Sequence, residues 1–116
     1  MMDKKLKIRI SYGVNTAMGP GKAQLLEAIQ ECGSISKAAK KMKMSYRRAW
    51  ELVNVMNQCF KHPLVITAQG GTHGGGAEIS ELGIMILQNY REMEDKVARF
   101  ASKELHQILS NLSKKK

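Results

Sequence analysis

Cysteine, proline and aromatic residues are all scarce in this 116-residue sequence: two cysteines, two prolines, one tryptophan, three tyrosines and two phenylalanines. Two cysteines cannot build a disulfide framework. Cys32 and Cys59 fall on the apolar sides of expected helices, which points to buried free thiols in a reducing compartment. No CxxC or HxxxH spacing supports a metal site, and His62, His73 and His106 have no evident way to converge. The sequence shows no apolar run long enough to cross a bilayer and no signal-peptide pattern, so the expectation is a soluble cytoplasmic protein away from membranes. No Ser/His/Asp or paired-carboxylate motif is recognisable, and no cofactor is implied. An enzyme is therefore not expected.

Positive charge is abundant. Nineteen basic residues outnumber ten acidic ones for a net charge of +9, and the excess is uneven. From Ser34 to His73, Lys37, Lys40, Lys41, Lys43, Arg47, Arg48 and Lys61 face Glu51 alone. A basic surface attracts nucleic acid or anionic lipid alike, so pattern has to decide between them. In GSISKAAKKMKMSYRRAW (33–50), Ile35, Ala38, Ala39 and Met42 recur at i, i+3, i+4, i+7 and line one face of a short helix. Ser45 can cap a second helix whose Ala49, Leu52, Val53, Met56 and Phe60 again share a side. Small Ala39 suits a close helix crossing. Lys43 takes the turn position where glycine is common, at some cost in backbone strain.

Around this pair the spacing predicts a strand over 6–12, a turn-rich break over 15–21, and a first helix over about 22–32 with Leu25, Ala28, Ile29 and Cys32 as its buried stripe. After Pro63, strands over 64–69 and 77–80 flank the loop GGTHGGG and form a hairpin of the size of a wing. One long helix is expected from Ser80 to about Leu112. Its apolar seam, Ile86, Tyr90, Met93, Val97, Phe100, Leu105, Ile108 and Leu112, contains a single five-residue step and is too long for a core of this size to cover. A homodimer is the expected consequence. The fold class expected is mainly α with a small β wing: a winged helix-turn-helix, 1–116 as one domain, with the helix-turn-helix at about 34–60, the wing at about 64–80 and the long helix at about 81–112.

The basic residues have an evident use in such a fold. Arg47 and Arg48 lie in the first turn of the second motif helix, where cations oppose the helix macrodipole, so helix stability does not account for them. Phosphates and guanine edges of double-stranded DNA do. Asn54 shares their outer face with Glu51 and Gln58. Ser36 and Lys37 start the preceding helix, where amides and a hydroxyl can hold a phosphate. Tyr46 can touch a phosphate or thymine methyl, or pack on the preceding helix; Trp50 lies between faces, in a structural place. Lys40, Lys41 and Lys43 supply a diffuse field. The glycine loop lacks the Lys-Ser/Thr ending of a P-loop and is followed by a strand, so nucleotide binding is not expected. As a wing tip it offers Thr72, His73, Gly74 and Gly75 to a minor groove.

The elements SISxxAK, SYxxAW and GGxxGGGA, in this order and at these separations over roughly 21–100, resemble the N-terminal DNA-binding domain of the molybdate-dependent transcriptional regulator (ModE) family. That resemblance implies a winged helix-turn-helix that dimerises through its first and last helices, adding Leu25 and Ile29 to the interface, and binds an inverted repeat. It also implies that Ser45, Tyr46, Arg47 and Arg48 belong to the recognition helix and that 72–75 form the wing. Full-length members carry further C-terminal domains for molybdate or tungstate, and nothing in these 116 residues resembles them. A ModE-like regulator without the molybdate-binding domain, answering to an unidentified effector or partner protein, is the expectation. The alternative is a winged-helix module for protein or RNA with only nonspecific DNA affinity.

Overall fold

In a computed structural model, which describes residues 6–68 and 76–114, the chain is mainly α with two small antiparallel strand pairs, a winged-helix-like fold. Strand β1 (Ile10–Tyr12) turns back through Gly13, at φ +61°, into β2 (Asn15–Met18), pairing Ser11 with Thr16 and Tyr12 with Asn15. The segment expected as a turn-rich break thus holds a strand. Its turn-forming residues divide their work: Asn15 and Thr16 pair across the hairpin, and only Gly19 and Pro20 break the chain. Ala17 and Met18 on β2 are buried, whereas every residue of β1 is exposed. The first strand is correspondingly shorter than expected, three residues of the seven.

Helix α1 (Pro20–Cys32) begins two residues before the expected start because Pro20 occupies its first position, where a missing N–H costs nothing. Gly33 ends it in the left-handed region, at φ +76°, and donates its N–H to the Ile29 carbonyl at 2.8 Å. Helices α2 (Ile35–Lys41) and α3 (Tyr46–Cys59) follow as expected. Ala23, Leu25, Leu26 and Ile29 of α1, Ile35, Ala38 and Ala39 of α2, and Ala49, Val53 and Met56 of α3 close one core with Met18 and Leu64. Burying each large apolar side chain contributes about 1.5–3 kcal/mol. Four alanines at these crossings let three helices approach closely, and any larger residue there would have to displace a helix.

Strands β3 (Val65–Thr67) and β4 (Ala77–Ile79) form the expected hairpin in register Val65↔Ile79, Ile66↔Glu78, Thr67↔Ala77. Val65, Ala77 and Ile79 face the core, and Ile66 and Glu78 face out. The Ala77 amide also donates to the Gly33 carbonyl at 2.8 Å, joining the hairpin to the end of α1. Ser80 caps α4 (Glu81–Phe100), accepting from the Gly83 amide at 3.0 Å and donating to the Pro63 carbonyl at 2.7 Å. A Cβ at Gly83 would collide with Ile79 Cγ2 and lie 2.5 Å from the Leu64 carbonyl oxygen, so glycine lets α4 start directly against both strands.

The C-terminal region departs from the single helix expected. Helix α4 ends at Phe100, Ala101 leaves helical geometry at φ −97°, ψ +13°, and α5 runs Ser102–Leu109. The Ala101 amide still bonds to Val97 and its carbonyl accepts from Leu105, so the hydrogen-bond chain is nearly continuous across this break in helical geometry. It falls at the five-residue step of the apolar pattern, between Phe100 and Leu105. On one straight helix those two side chains would point about 140° apart.

Candidate nucleic-acid interface

The turn between α2 and α3 is fixed by three devices. Ser34 caps α2 by accepting from the Lys37 amide at 2.9 Å, and Ser45 caps α3 by accepting from the Arg48 amide at 3.0 Å. Between them Lys43 adopts φ +59°, the one non-glycine residue with positive φ among those described. The Met44 amide then donates to Ala39 at 3.0 Å and closes the turn. The cap of α2 is therefore Ser34, one residue outside the helix. Ser36 and Lys37 lie within the first turn with exposed side chains, and the Lys37 amide is already engaged.

Helix α3 sorts its residues by face as the spacing predicts. Ala49, Val53 and Met56 are buried, and Ser45, Tyr46, Arg47, Arg48, Glu51 and Asn54 are exposed. The Arg47 side chain is 90 % exposed and that of Arg48 61 % exposed. Glu51 approaches both, at 3.7 Å and 4.0 Å, but one carboxylate against two guanidinium groups in water holds neither firmly. Tyr46 packs edge-on against Trp50 of its own helix, with ring centroids 6.2 Å apart, and half its surface remains open. Trp50 is half-buried against the core. Of the field lysines, Lys41 is paired to Glu31 of α1, and that hydrogen bond raises its ammonium pKa. Lys37, Lys40 and Lys43 are exposed. Thr72, His73, Gly74 and Gly75 lie outside the described residues.

Asn57 is a residue the sequence reading passed over. From the last turns of α3 its Oδ1 accepts from the amides of Leu64 and Val65, at 2.8 and 3.2 Å, and its Nδ2 donates to the Val65 carbonyl at 3.2 Å. One side chain thus fastens β3 to α3. Nothing in local spacing distinguishes it from Asn54, because its partners are brought to it by the tertiary fold.

The residues expected at a subunit interface separate into two groups. Leu25 and Ile29 have no exposed surface and belong to the core of this chain, a correction to their expected place. Their helix packs beneath α2, α3 and β4, which the helical period alone cannot distinguish from a partner. Tyr90 is likewise buried, its hydroxyl donating to the Ile8 carbonyl at 2.5 Å. Ile86 and Met93 pack against the core edge, and Val97 and Leu105 are half-buried. Phe100, Ile108 and Leu112 stand exposed, Phe100 at 92 %.

Three comparisons bear on this geometry. The molybdenum transport protein ModE of Azotobacter vinelandii is 38 % identical over 88 residues, which are 76 % of this chain and 33 % of that protein. The transcriptional regulator ModE of Haemophilus influenzae is 40 % identical over 94 residues, 81 % of this chain and 37 % of its own length. By sequence, the chain is a homologue of the ModE-family N-terminal domain. The DNA-binding transcriptional dual regulator ModE of Escherichia coli K12 adds 44 % identity over 71 residues, 61 % of this chain and 27 % of that one. The chain spans about a third of the length of the ModE relatives it matches. No protein-family model matches it. No helix among the described residues is long and apolar enough to cross a membrane.

Proposed function

We propose that this chain is a sequence-specific DNA-binding transcriptional regulator that works as a homodimer in the cytoplasm and performs no catalysis, and that residues 34–60 and 64–80 act together as one winged helix-turn-helix unit. The observation that carries this reading is the first turn of α3. A serine cap frees the turn's outer face for Arg47 and Arg48, which carry most of their surface into solvent with only Glu51 beside them. Guanidinium groups so placed pair with guanine edges and phosphates, and Asn54, on the same face, can pair with adenine. Ser36 and Lys37 at the start of α2, with Tyr46, serve the backbone, and Thr72, His73, Gly74 and Gly75 serve the groove beside the wing. For the second subunit, exposed Phe100 and Ile108 are the contact residues, continued by the half-buried Val97 and Leu105 and the core-edge Ile86 and Met93.

Selection of bound duplexes from a random library at two salt concentrations tests the proposal. A single palindromic site that survives moderate salt is the expected product, with half-sites one helical turn, or a multiple of it, apart. Arg47→Glu should then lower affinity for that site by about 100-fold, and Lys103→Glu, on exposed α5, by no more than about twofold. Equal losses in a gel-shift titration would remove Arg47 from the interface. A library that enriches no sequence would leave only a nonspecific basic field.

A further inference from the structure

A basic groove of about 630 Å³ opens beside the recognition helix, lined by Lys7 and Arg9 before β1, by Gly19 to Lys22 at the start of α1, by Arg48 and Leu52 of α3, and by Arg91 and Glu94 of α4. Five cations face it against one carboxylate. Arg91 is spoken for, since Glu27 holds it with two hydrogen bonds and Glu94 with a third. Among the described residues no salt bridge joins Lys7, Arg9 or Lys22 to an acid, and these three cations thus have no paired acid.

The cost of that concentration is visible at Lys22. It sits in the first turn of a thirteen-residue helix that has no acidic residue in that turn, so it opposes the macrodipole. Burial, and then the positive charge of Arg48, lower its ammonium pKa. Arg9 comes close to the same helix start, with its Cγ 3.3 Å from where a Cβ on Gly19 would stand. Neither helix stability nor ion pairing among the described residues explains these cations, whereas a bound anion would offset the repulsion between them.

We infer that this groove seats the phosphodiester backbone of DNA next to the major groove entered by α3, with Lys7, Arg9 and Lys22 as phosphate contacts. The inference rests on the DNA-binding reading above and extends its footprint. Continuity supports it: Arg48, which lines the groove, is the neighbour of Arg47 in the same helical turn, so one strand leaving the base-reading face meets the groove next. The wing, held at Asn57, lies about two and a half turns further along α3, about 13 Å away. The two ends of the recognition helix would thus each have a flanking backbone contact.

The test uses the full chain and the duplex recovered by selection, with affinity measured by fluorescence anisotropy between 50 and 300 mM KCl. The variant Lys7→Gln/Lys22→Gln should lose about tenfold or more in affinity at low salt, and the slope of log K against log salt should flatten by roughly 3.6, at about 0.9 for each of the four phosphate contacts that a dimer loses. The loss should be the same on matched and mismatched duplexes, since phosphates carry no sequence. A Lys96→Gln/Lys103→Gln control removes equal charge from the exposed surface of α4 and α5. If half-buried Lys22 proves necessary for folding, Lys7→Gln/Arg9→Gln carries the same expectation. A groove variant with the affinity and slope of the control, on a protein still sensitive to Arg47→Glu, overturns the groove alone. A wild-type chain that binds no duplex overturns both the groove and the DNA-binding reading.

Discussion

Arg91 and Arg47 carry the same guanidinium group, and the molecule treats them in opposite ways. At the junction of α1 and α4, Arg91 is three-quarters buried, bound at 2.8–2.9 Å by Glu27 and at 2.8 Å by Glu94, and stacked beside the Tyr90 ring; its pKa is pushed up, chiefly by the Glu27 hydrogen bonds. At the first turn of α3, Arg47 has one distant carboxylate and open solvent. A charge satisfied within the chain holds the fold, and a charge left unsatisfied is available to something else. The contrast separates a guanidinium that joins α1 to α4 from one that the described residues leave in solvent.

Breaking the scaffold side should give the largest change in stability. Arg91→Met removes the Arg91 counter-charge from the Glu94 carboxylate, 7 % exposed, and should cost about 2 kcal/mol, less than a fully buried pair because the guanidinium retains some solvent. Urea unfolding with an unchanged m-value checks this, and the variant that remains folded should bind DNA like the wild type. A loss below about 0.5 kcal/mol would mean that Glu27, Glu94 and Arg91 do not act as a structural unit.

The joint between the two regions should give the next largest effect. Asn57→Ala strands the buried Leu64 and Val65 amides and should cost about 1.5 kcal/mol. Hydrogen exchange at the β3 and β4 amides should speed up more than exchange in α1. Uniform acceleration across the chain would show that Asn57 supports the whole core and not the wing alone. The smallest effect is expected at the turn: Lys43→Gly relieves a left-handed lysine and should raise stability by about 0.5 kcal/mol, net of glycine's greater freedom in the unfolded chain. A destabilised variant would mean that the turn holds Lys43 for contacts and not merely in spite of its backbone.

Much of this architecture was legible before any coordinates. The stripes of α2 and α3, the Ser45 cap, the strained Lys43 and the strand pair after Pro63 all depend on neighbours within a few residues, and the sequence records such neighbours directly. The relations that escaped depend on distant segments. Asn15 to Met18 reads as a turn until β1 pairs with it. Leu25 and Ile29 read equally well as a core stripe and as a contact stripe until three other elements cover them. The step of five between Phe100 and Leu105 marked the place where α4 and α5 divide, but periodicity alone did not say that the helix is interrupted there. Of the candidate site, the exposure of Arg47, Arg48 and Asn54 follows from their face on a helix. Lys7 and Arg9 come from one segment and Lys22 from another, and they meet only in the fold.

The peptide carbonyl of Gly33 accepts the amide of Ala77 while Asn57 holds the opposite strand at Leu64 and Val65. The wing is consequently clamped on both of its strands to the helices that carry the basic face. Under the proposed DNA-binding function, parts joined in this way would act like a gauge of fixed aperture. On a duplex with an ill-fitting groove, the work of adjustment would fall on the nucleic acid, so the stiffness of base steps that this chain never touches would become part of its discrimination.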